Sequence, residues 1–496
     1  MFLTELIFKN ETIYPKEIPE VNISSITTDS RKAIAGSLFV CLRGSFTDGH
    51  MYAENAYERG CRCFLCDREI DLPDDAAVVR VPDSRKMLAY VSARFYKTPC
   101  KELKIIGITG TKGKTTTALI ITGIMNACGM NCGYIGSNGV FFNSSSYKTE
   151  NTTPESLVLQ KTLREMADSG VKYVALEVSS QALHTYRVEC IDFDTVVYTN
   201  LARDHIGKFE HPTYEHYIEC KASLFTKKYG AKICVYNADD SMCDRITGSF
   251  SGKKVSYSMN GNGNINAENV KYYQSSDGIG ILFDIKTENK VYPTFLPIPG
   301  DFNVSNALCA FTVCRKYVSN ESLIVRAMAK IKVDGRLEMY QSKKGFTFVI
   351  DYAHNGLSLA CALTELRKYC SGRLICLFGS VGDRTKERRA ELGEAAGRYA
   401  DLCIITSDNP GHEPPEDIIN EIARYVRKEG CEYQKFVDRE EAIKYAYSIA
   451  KENDIILLAG KGHETYQLIK KEKIPFSEKK IVNELLERER EKINVD

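Results

Sequence analysis

Several things are missing from this 496-residue chain. No apolar run approaches the roughly 20 residues a membrane-spanning helix needs, and the opening Met1–Asn10 has no basic stretch leading into an apolar one. Net charge is missing as well. The 66 lysines and arginines stand against 65 aspartates and glutamates, a balance of +1. No global field therefore recruits nucleic acid or an anionic membrane, and any phosphate binding must be local. No repeat of fixed period and no low-complexity tract stands out. Close cysteine pairing is scarce too. Of eighteen cysteines only Cys61, Cys63 and Cys66 cluster. They lack the fourth ligand and second pair of a zinc site, and Cys63–Cys66 reads as a buried strand. Without a secretion signal, the scattered thiols imply a reducing compartment. The expectation is a cytoplasmic protein, monomeric, with no nucleic-acid or membrane partner.

What is present is ordinary globular material, 43% hydrophobic and 26% charged, long enough for two to four domains. Residues 1–100 are mixed, with short runs such as Ser37–Val40 and Ala77–Val79, and end at the plausible linker Lys97–Cys100. Residues 101–331 open on the β-branched run Lys104–Ile108, a Gly/Thr loop and a helix from Thr115. Strands recur at Tyr173–Val178, Thr195–Thr199 and Lys232–Tyr236. That order predicts an α/β domain with a mainly parallel sheet, and the Gly/Asn/Ser-rich stretch 249–299 predicts appended hairpins. In residues 332–496, strands at Phe346–Ile350, Leu374–Phe378, Leu402–Ile405 and Ile455–Leu458 alternate with helices at about 357–369, 387–399, 415–427 and 440–451. This predicts a separate, doubly wound α/β domain.

The sharpest local signal is Thr109-Gly110-Thr111-Lys112-Gly113-Lys114-Thr115-Thr116. Backbone amides of a Gly-rich turn at a helix start make an anion site; Lys114 can neutralise terminal phosphate charge and Thr115 can ligate Mg²⁺. The loop is a variant, because Ile108 stands where the general template has its first glycine. Nucleotide-bound Mg²⁺ also wants a carboxylate, and Glu177 ends the apolar run Val174-Ala175-Leu176, at a strand end where open α/β sheets bind ligands.

With these residues placed, the sequence resembles the Mur ligases, ATP-dependent enzymes that build the peptide of the cell-wall precursor. The likeness covers nearly the whole chain. It rests on the loop 109–116, Asn151-Thr152-Thr153-Pro154, Leu176–Ser180, Asp204-His205, Gly300–Asn306 and Gly335–Glu338. Asp29-Ser30-Arg31, Gly36–Val40 and Asp48-Gly49-His50 resemble the UDP-sugar-binding domain of the MurE and MurF types. Asp351–His354, Gly382-Asp383-Arg384, Asp408-Asn409-Pro410 and Gly460–Glu464 resemble MurE. The resemblance implies a ligase that adds a third amino acid to UDP-N-acetylmuramoyl-L-alanyl-D-glutamate through an acyl phosphate, using ATP and Mg²⁺.

Carried over residue by residue, it implies that Gly110, Thr111, Lys112, Gly113, Lys114, Thr115, Thr116, Asn303, Arg336 and Asp351 bind nucleotide. Catalysis falls to Lys114, Glu177, His205, Lys221 and His354. Thr115, Glu177, His205 and a carbamylated Lys221 face metal, although the bare sequence would make Lys221 a solvated helix lysine. Ser30, Ser45, Phe46, Thr47, Asn151, Thr152, Thr153, Ser179 and Arg187 hold the UDP-muramoyl-dipeptide. Arg389, Asp408, Asn409, Gly411, Gly460 and Glu464 form the amino-acid pocket. Enzymes of this type that add meso-diaminopimelate usually carry Arg after Asp-Asn-Pro; here Gly411 follows Pro410, and glycine cannot replace a guanidinium fork. L-lysine is therefore the expected amino acid. A folylpolyglutamate-type ligase and a non-catalytic nucleotide-dependent scaffold are the alternatives.

Overall fold

The computed structural model describes residues 1–493 apart from 45–46, 205, 208–209, 276–277, 332–336, 384–386, 463 and 471. The chain divides into two compact units. The first comprises Met1–Asn266, Thr287–Asn289 and Ser305–Ala327; the second comprises Ala267–Lys286, Lys290–Val304 and Met328–Asp496. Among the described residues no helix is long and apolar enough to cross a membrane.

The first unit begins with helix α1 (Leu3–Leu6) and a four-stranded parallel sheet, β1 (Ser25–Thr27), β2 (Ser37–Val40), β3 (Cys63–Cys66) and β4 (Ala77–Arg80). Helices α2 (Ala53–Glu58) and α3 (Ser84–Phe95) accompany it. All four residues of β3 are buried, as expected of a strand and not of a cysteine metal site. All eighteen cysteines carry free thiols.

A larger sheet follows. Its strands are β5 (Lys104–Thr109), β6 (Cys132–Gly136), β7 (Gly139–Phe142), β8 (Ser145–Tyr147), β9 (Tyr173–Glu177), β10 (Thr195–Tyr198), β11 (Ile233–Asn237) and β12 (Lys253–Ser258), in the order β12-β11-β10-β5-β9-β6-β7-β8. From β12 to β6 every pair is parallel. Central β5 shows why: Ile105 to Thr109 is buried throughout, the continuous apolar run of a strand covered on both faces. Helices α4 (Lys114–Ala127), α5 (Ser156–Asp168), α6 (Ser180–His184), α7 (Tyr214–Ser223) and α8 (Cys243–Thr247) intervene. Helix α4 buries Ile120, Ile121, Ile124 and Met125, each contributing about 1.5–3 kcal/mol.

The hairpins expected in residues 249–299 are present only in part: β12 pairs in parallel with β11, and the first residues of β13 (Ile265–Ser275) run parallel to β12. Antiparallel pairing comes with β14 (Gly278–Lys286) and β15 (Val291–Leu296).

In the second unit, β16 (Glu338–Gln341), β17 (Thr347–Asp351), β18 (Leu374–Phe378), β19 (Leu402–Thr406), β20 (Glu432–Phe436) and β21 (Ile455–Ala459) order as β16-β17-β21-β18-β19-β20, all parallel except edge strand β16. The helices Gly356–Arg367, Glu387–Tyr399, Pro415–Lys428, Arg439–Ile449 and Glu478–Ile493 alternate with or follow these strands. Phe348, Ile350, Ile375, Leu377, Ile404, Ile456 and Leu458 pack with Ile443 and Val482 in its core. Its parallel strands bring residues 351–354, 379–383, 407–411 and 460–462 to one sheet end, the end where such sheets bind ligands.

Candidate active site

In the first unit the site is built where β5, β9 and β10 end. Pairing of Ile108 with Glu177 and of Thr109 with Tyr198 aligns the phosphate loop with both neighbours. Gly110 adopts φ +152°, and a Cβ there would stand 1.9 Å from Thr199 Oγ1. Gly113, φ +82°, precedes α4 and abuts Asn306 Oδ1. These two positions require glycine for space as well as conformation. Asn200 shapes the loop, accepting from Thr111 N through its carbonyl (2.8 Å) and from Lys112 N through Oδ1 (2.9 Å).

Glu177 is fully buried yet richly bonded. Its carboxylate accepts from Tyr134 OH (2.6 Å), Ser137 N (3.0 Å) and Thr115 Oγ1 (3.0 Å). Gly136 makes room, since a Cβ there would meet Glu177 Oε1 at 2.1 Å. Tyr134 and Ser137 belong to no motif read from the sequence; the Gly-Ser-Asn-Gly turn 136–139 is the signal that could have found them.

Two lysines converge on one carbonyl. Lys114 Nζ donates to Gly110 O at 2.8 Å and to Thr111 O at 3.1 Å, while Lys221 Nζ donates to the same Gly110 O at 2.9 Å. Lys221 is 1% exposed, so its reading as a solvated helix lysine is corrected: α7 turns it inward over the Tyr217 ring. Burial pushes its ammonium well below the ordinary lysine range, and repulsion from Lys114 acts in the same direction. Lys114 is also lowered, by burial first, with Glu177 opposing. The arrangement disfavours charge on two amines at once.

Beside this lies the Asn151–Thr153 loop. Thr152 Oγ1 meets Ser137 Oγ at 2.9 Å; Thr153 Oγ1 donates to Glu177 O at 2.7 Å and accepts from Ser179 N at 3.1 Å. Arg187 donates to Thr153 O at 3.0 Å and pairs with Glu155 at 2.9 Å. Asn151 O accepts from Thr149 Oγ1. The structure thus gathers Thr115, Thr152, Thr153, Glu177, Ser179 and Arg187. Ser30 follows β1 in a short helical turn and Thr47 follows β2. Ser45, Phe46, His205 and Arg336 lie outside the described residues.

In the second unit Asn303 donates to Pro299 O at 2.6 Å. Asp351 accepts from Leu337 N and Ala353 N, each at 2.8 Å, and His354 Nδ1 meets Tyr352 O at 2.9 Å. The next strand end adds Gly460, whose N–H reaches Asp351 O at 3.1 Å. Lys461, fully buried, donates to Asp408 Oδ1 (3.2 Å), Asn409 Oδ1 (3.1 Å) and Glu464 Oε2 (3.1 Å). This lysine ties two strand ends together. Gly411, at φ +61°, would place a Cβ 2.1 Å from Asp383 Oδ2, which itself binds His412. Arg389 is 2% exposed and already engaged by Glu413 and Glu421. Its guanidinium holds the Glu413 carboxyl below the usual range.

A Gly-bounded phosphate loop facing a buried strand-end carboxylate, with a second α/β unit carrying a polar pocket, defines a nucleotide-dependent group-transfer enzyme. Comparison gives the family. Residues 22–96 match the Mur ligase family catalytic domain, 108–314 the Mur ligase middle domain and 335–462 the Mur ligase glutamate ligase domain. The chain is 40% identical over 468 residues to a UDP-N-acetylmuramoyl-L-alanyl-D-glutamate–2,6-diaminopimelate ligase of Caldanaerobacter subterraneus subsp. tengcongensis, covering 94% of this chain and 95% of that one. It is 35% identical to the ligase of that name from Clostridioides difficile, over 98% and 99% of the two chains. A solved structure bearing the same name superposes with a TM-score of 0.75 at 28% identity, covering 99% of each chain. The chain belongs to the Mur ligase family and is an ATP-dependent, amide-forming ligase of peptidoglycan-precursor synthesis. The relatives' names run against L-lysine as the favoured amino acid.

Proposed function

We propose that the chain joins 2,6-diaminopimelate to the D-glutamyl side-chain carboxylate of UDP-N-acetylmuramoyl-L-alanyl-D-glutamate, in the cytoplasm, with residues 1–100 serving the UDP-sugar, 101–331 ATP and 332–496 nucleotide and amino acid. The observation that carries this reading is the convergence of Lys114 and Lys221 on the Gly110 carbonyl, with Thr115 at the same helix start bonded to Glu177, in a chain matched end to end by ligases of that name.

The carboxylate substrate must approach a phosphoryl group, anion against anion, so positive charge at the loop governs the barrier. Lys114 offers that charge. The oxygen donors Thr115 and Glu177, 3.0 Å apart, suit a hard cation, and they are the residues that would hold Mg²⁺. When bound, Mg²⁺ offsets phosphate charge. Lys221, its amine held toward the neutral form, can add CO₂: a C–N bond forms as one C=O π bond of CO₂ opens, one proton leaves to solvent, and an anionic carbamate replaces the neutral amine. Asp408 and Glu464 outnumber Lys461 between them, leaving net negative charge for the ammonium end of a diamino acid.

Gly411 supports L-lysine as a second reading. With the Asp383 carboxylate filling the space beside it, no cation extends from this position toward a distal carboxylate. Release of ADP from ATP, measured with the UDP-muramoyl-dipeptide and a panel of 2,6-diaminopimelate, L-lysine, L-ornithine and neutral amino acids, tests both. Turnover with diaminopimelate is expected; turnover with lysine alone reverses the choice, and none with any amino acid removes the reading.

A further inference from the structure

Helices α6 and α7 pack against each other on the side of the phosphate site, and apart from Lys221 they carry His184, His216 and Cys220, which the ligase chemistry does not use. His216 and Cys220 lie four residues apart on α7, one turn above the other on a single helix face. His184 ends α6, its ring 4.8 Å from that of His216 in an edge-on arrangement. One ligand atom from each of His184, His216 and Cys220 lies within 4.8 Å of the other two. Cys220 Sγ is 3.7 Å from His216 Nε2. A tetrahedral zinc, with Zn–S near 2.3 Å and Zn–N near 2.0–2.1 Å, separates sulfur from nitrogen by about 3.5 Å. The pair already stands at that spacing.

A further histidine supplies the orientation a ligand needs. His211 is fully buried, with Nε2 2.9 Å from Ser180 Oγ and Nδ1 3.0 Å from His216 Nδ1. If His216 donates from Nδ1, His211 accepts there and donates from Nε2 to the serine. In that tautomer His216 Nε2 keeps a free lone pair, and Cys220 Sγ stands beside the ring, 3.7 Å from Nε2 and 3.9 Å from Nδ1, so a turn of the side chains brings both onto one ion. Outer groups that lock a ligand's ring and tautomer in this way are a hallmark of metal-binding histidines. The exposed end of α6 at His184 gives an entry path from solvent, and three protein ligands leave a fourth position for water.

We propose that His184, His216 and Cys220 form a binding site for a borderline transition-metal ion of the zinc class, separate from the Mg²⁺ of the ligase reaction. Two imidazoles and a thiolate discriminate against Mg²⁺, which wants oxygen donors. The bound ion clamps α6, which follows the Ser179 turn, onto α7, which carries Lys221. It thereby ties together the two helices that frame the phosphate site.

The test uses the full-length protein, stripped with a chelator and titrated with Co²⁺ and then Zn²⁺. One equivalent of Co²⁺ should give the intense visible bands of a tetrahedral site and a thiolate-to-cobalt charge-transfer band, both bleached by Zn²⁺. Cys220→Ser should lose the charge-transfer band with an unchanged circular dichroism spectrum. His184→Ala should weaken Zn²⁺ binding at least tenfold. Zn²⁺ should raise the melting temperature of the wild type and of neither variant. No charge-transfer band in the wild type, its persistence in Cys220→Ser, or wild-type affinity in His184→Ala would each overturn the site. Because His184 is exposed, its variant carries the test even if others fold poorly.

Discussion

Two buried lysines, one in each unit, show opposite ways of keeping an amine out of water. Lys461 is matched: Asp408 and Glu464 face it with an amide oxygen between them. Lys221 instead shares one neutral carbonyl with a second lysine, and the electrostatic pull of Asp204 does not outweigh burial and that repulsion. Coulomb attraction in a low-dielectric interior offsets the desolvation of the first and leaves the second under pressure to shed its proton. A matched lysine holds architecture. A strained one is primed for chemistry, and nearly equal burial of the two shows that partners, not depth, decide the role.

The comparison can be broken most severely at the phosphate loop. Lys114→Ala should lower kcat by about a thousandfold, the loss expected when a preorganised charge-stabilising donor is removed, with an unchanged melting curve; wild-type kinetics would end its assignment. Next, Lys461→Met should destabilise the protein by about 3–5 kcal/mol in urea unfolding, because it strands two carboxylates in a buried site. Lys221→Met should do the reverse, keeping or raising stability while turnover falls about a hundredfold. Partial rescue of Lys221→Ala by added short-chain carboxylates would identify the missing group as an anion. If both methionine variants unfold alike, the contrast between the lysines is wrong.

A smaller effect sits at Gly411. Gly411→Ala should cost about 1–2 kcal/mol, since the left-handed backbone disfavours a Cβ and Asp383 occupies its space; an unaltered denaturation midpoint would contradict this. The smallest is a pH slope. Because the folded-state pKa of Lys221 lies below its unfolded value of 10.5, the unfolded chain binds more protons in the window between the two. Wild-type stability should therefore gain a contribution as pH rises through that window, and Lys221→Met should lack it.

Much of this was legible because the relevant signals are local. Strands β5, β9, β18 and β21 announce themselves as unbroken apolar runs, and the phosphate loop by its glycines and lysine. Edge strand β20 does not: Glu432–Phe436 is mostly exposed, so it carries no apolar pattern to read. Nor could the bare helix pattern turn Lys221 inward, which only the family resemblance implied, since its partner Gly110 lies 111 residues away in the chain. The motif containing Arg389 is legible in the sequence, but its partners Glu413 and Glu421, 24 and 32 residues away, are invisible until the helices pack. The amino-acid preference drawn from Gly411 rested on a single position. It considered what glycine lacks and not what occupies the vacated space.

Arg439 and Glu478 pair at 2.8 Å with both side chains essentially out of solvent, and Arg439 also donates to Ser407 O and Ala459 O, the residues just before Asp408 and Gly460. The helix Glu478–Ile493 therefore reaches two strand ends through one guanidinium: without Glu478, Arg439 would keep its two carbonyl partners but lose its counter-charge in a buried place.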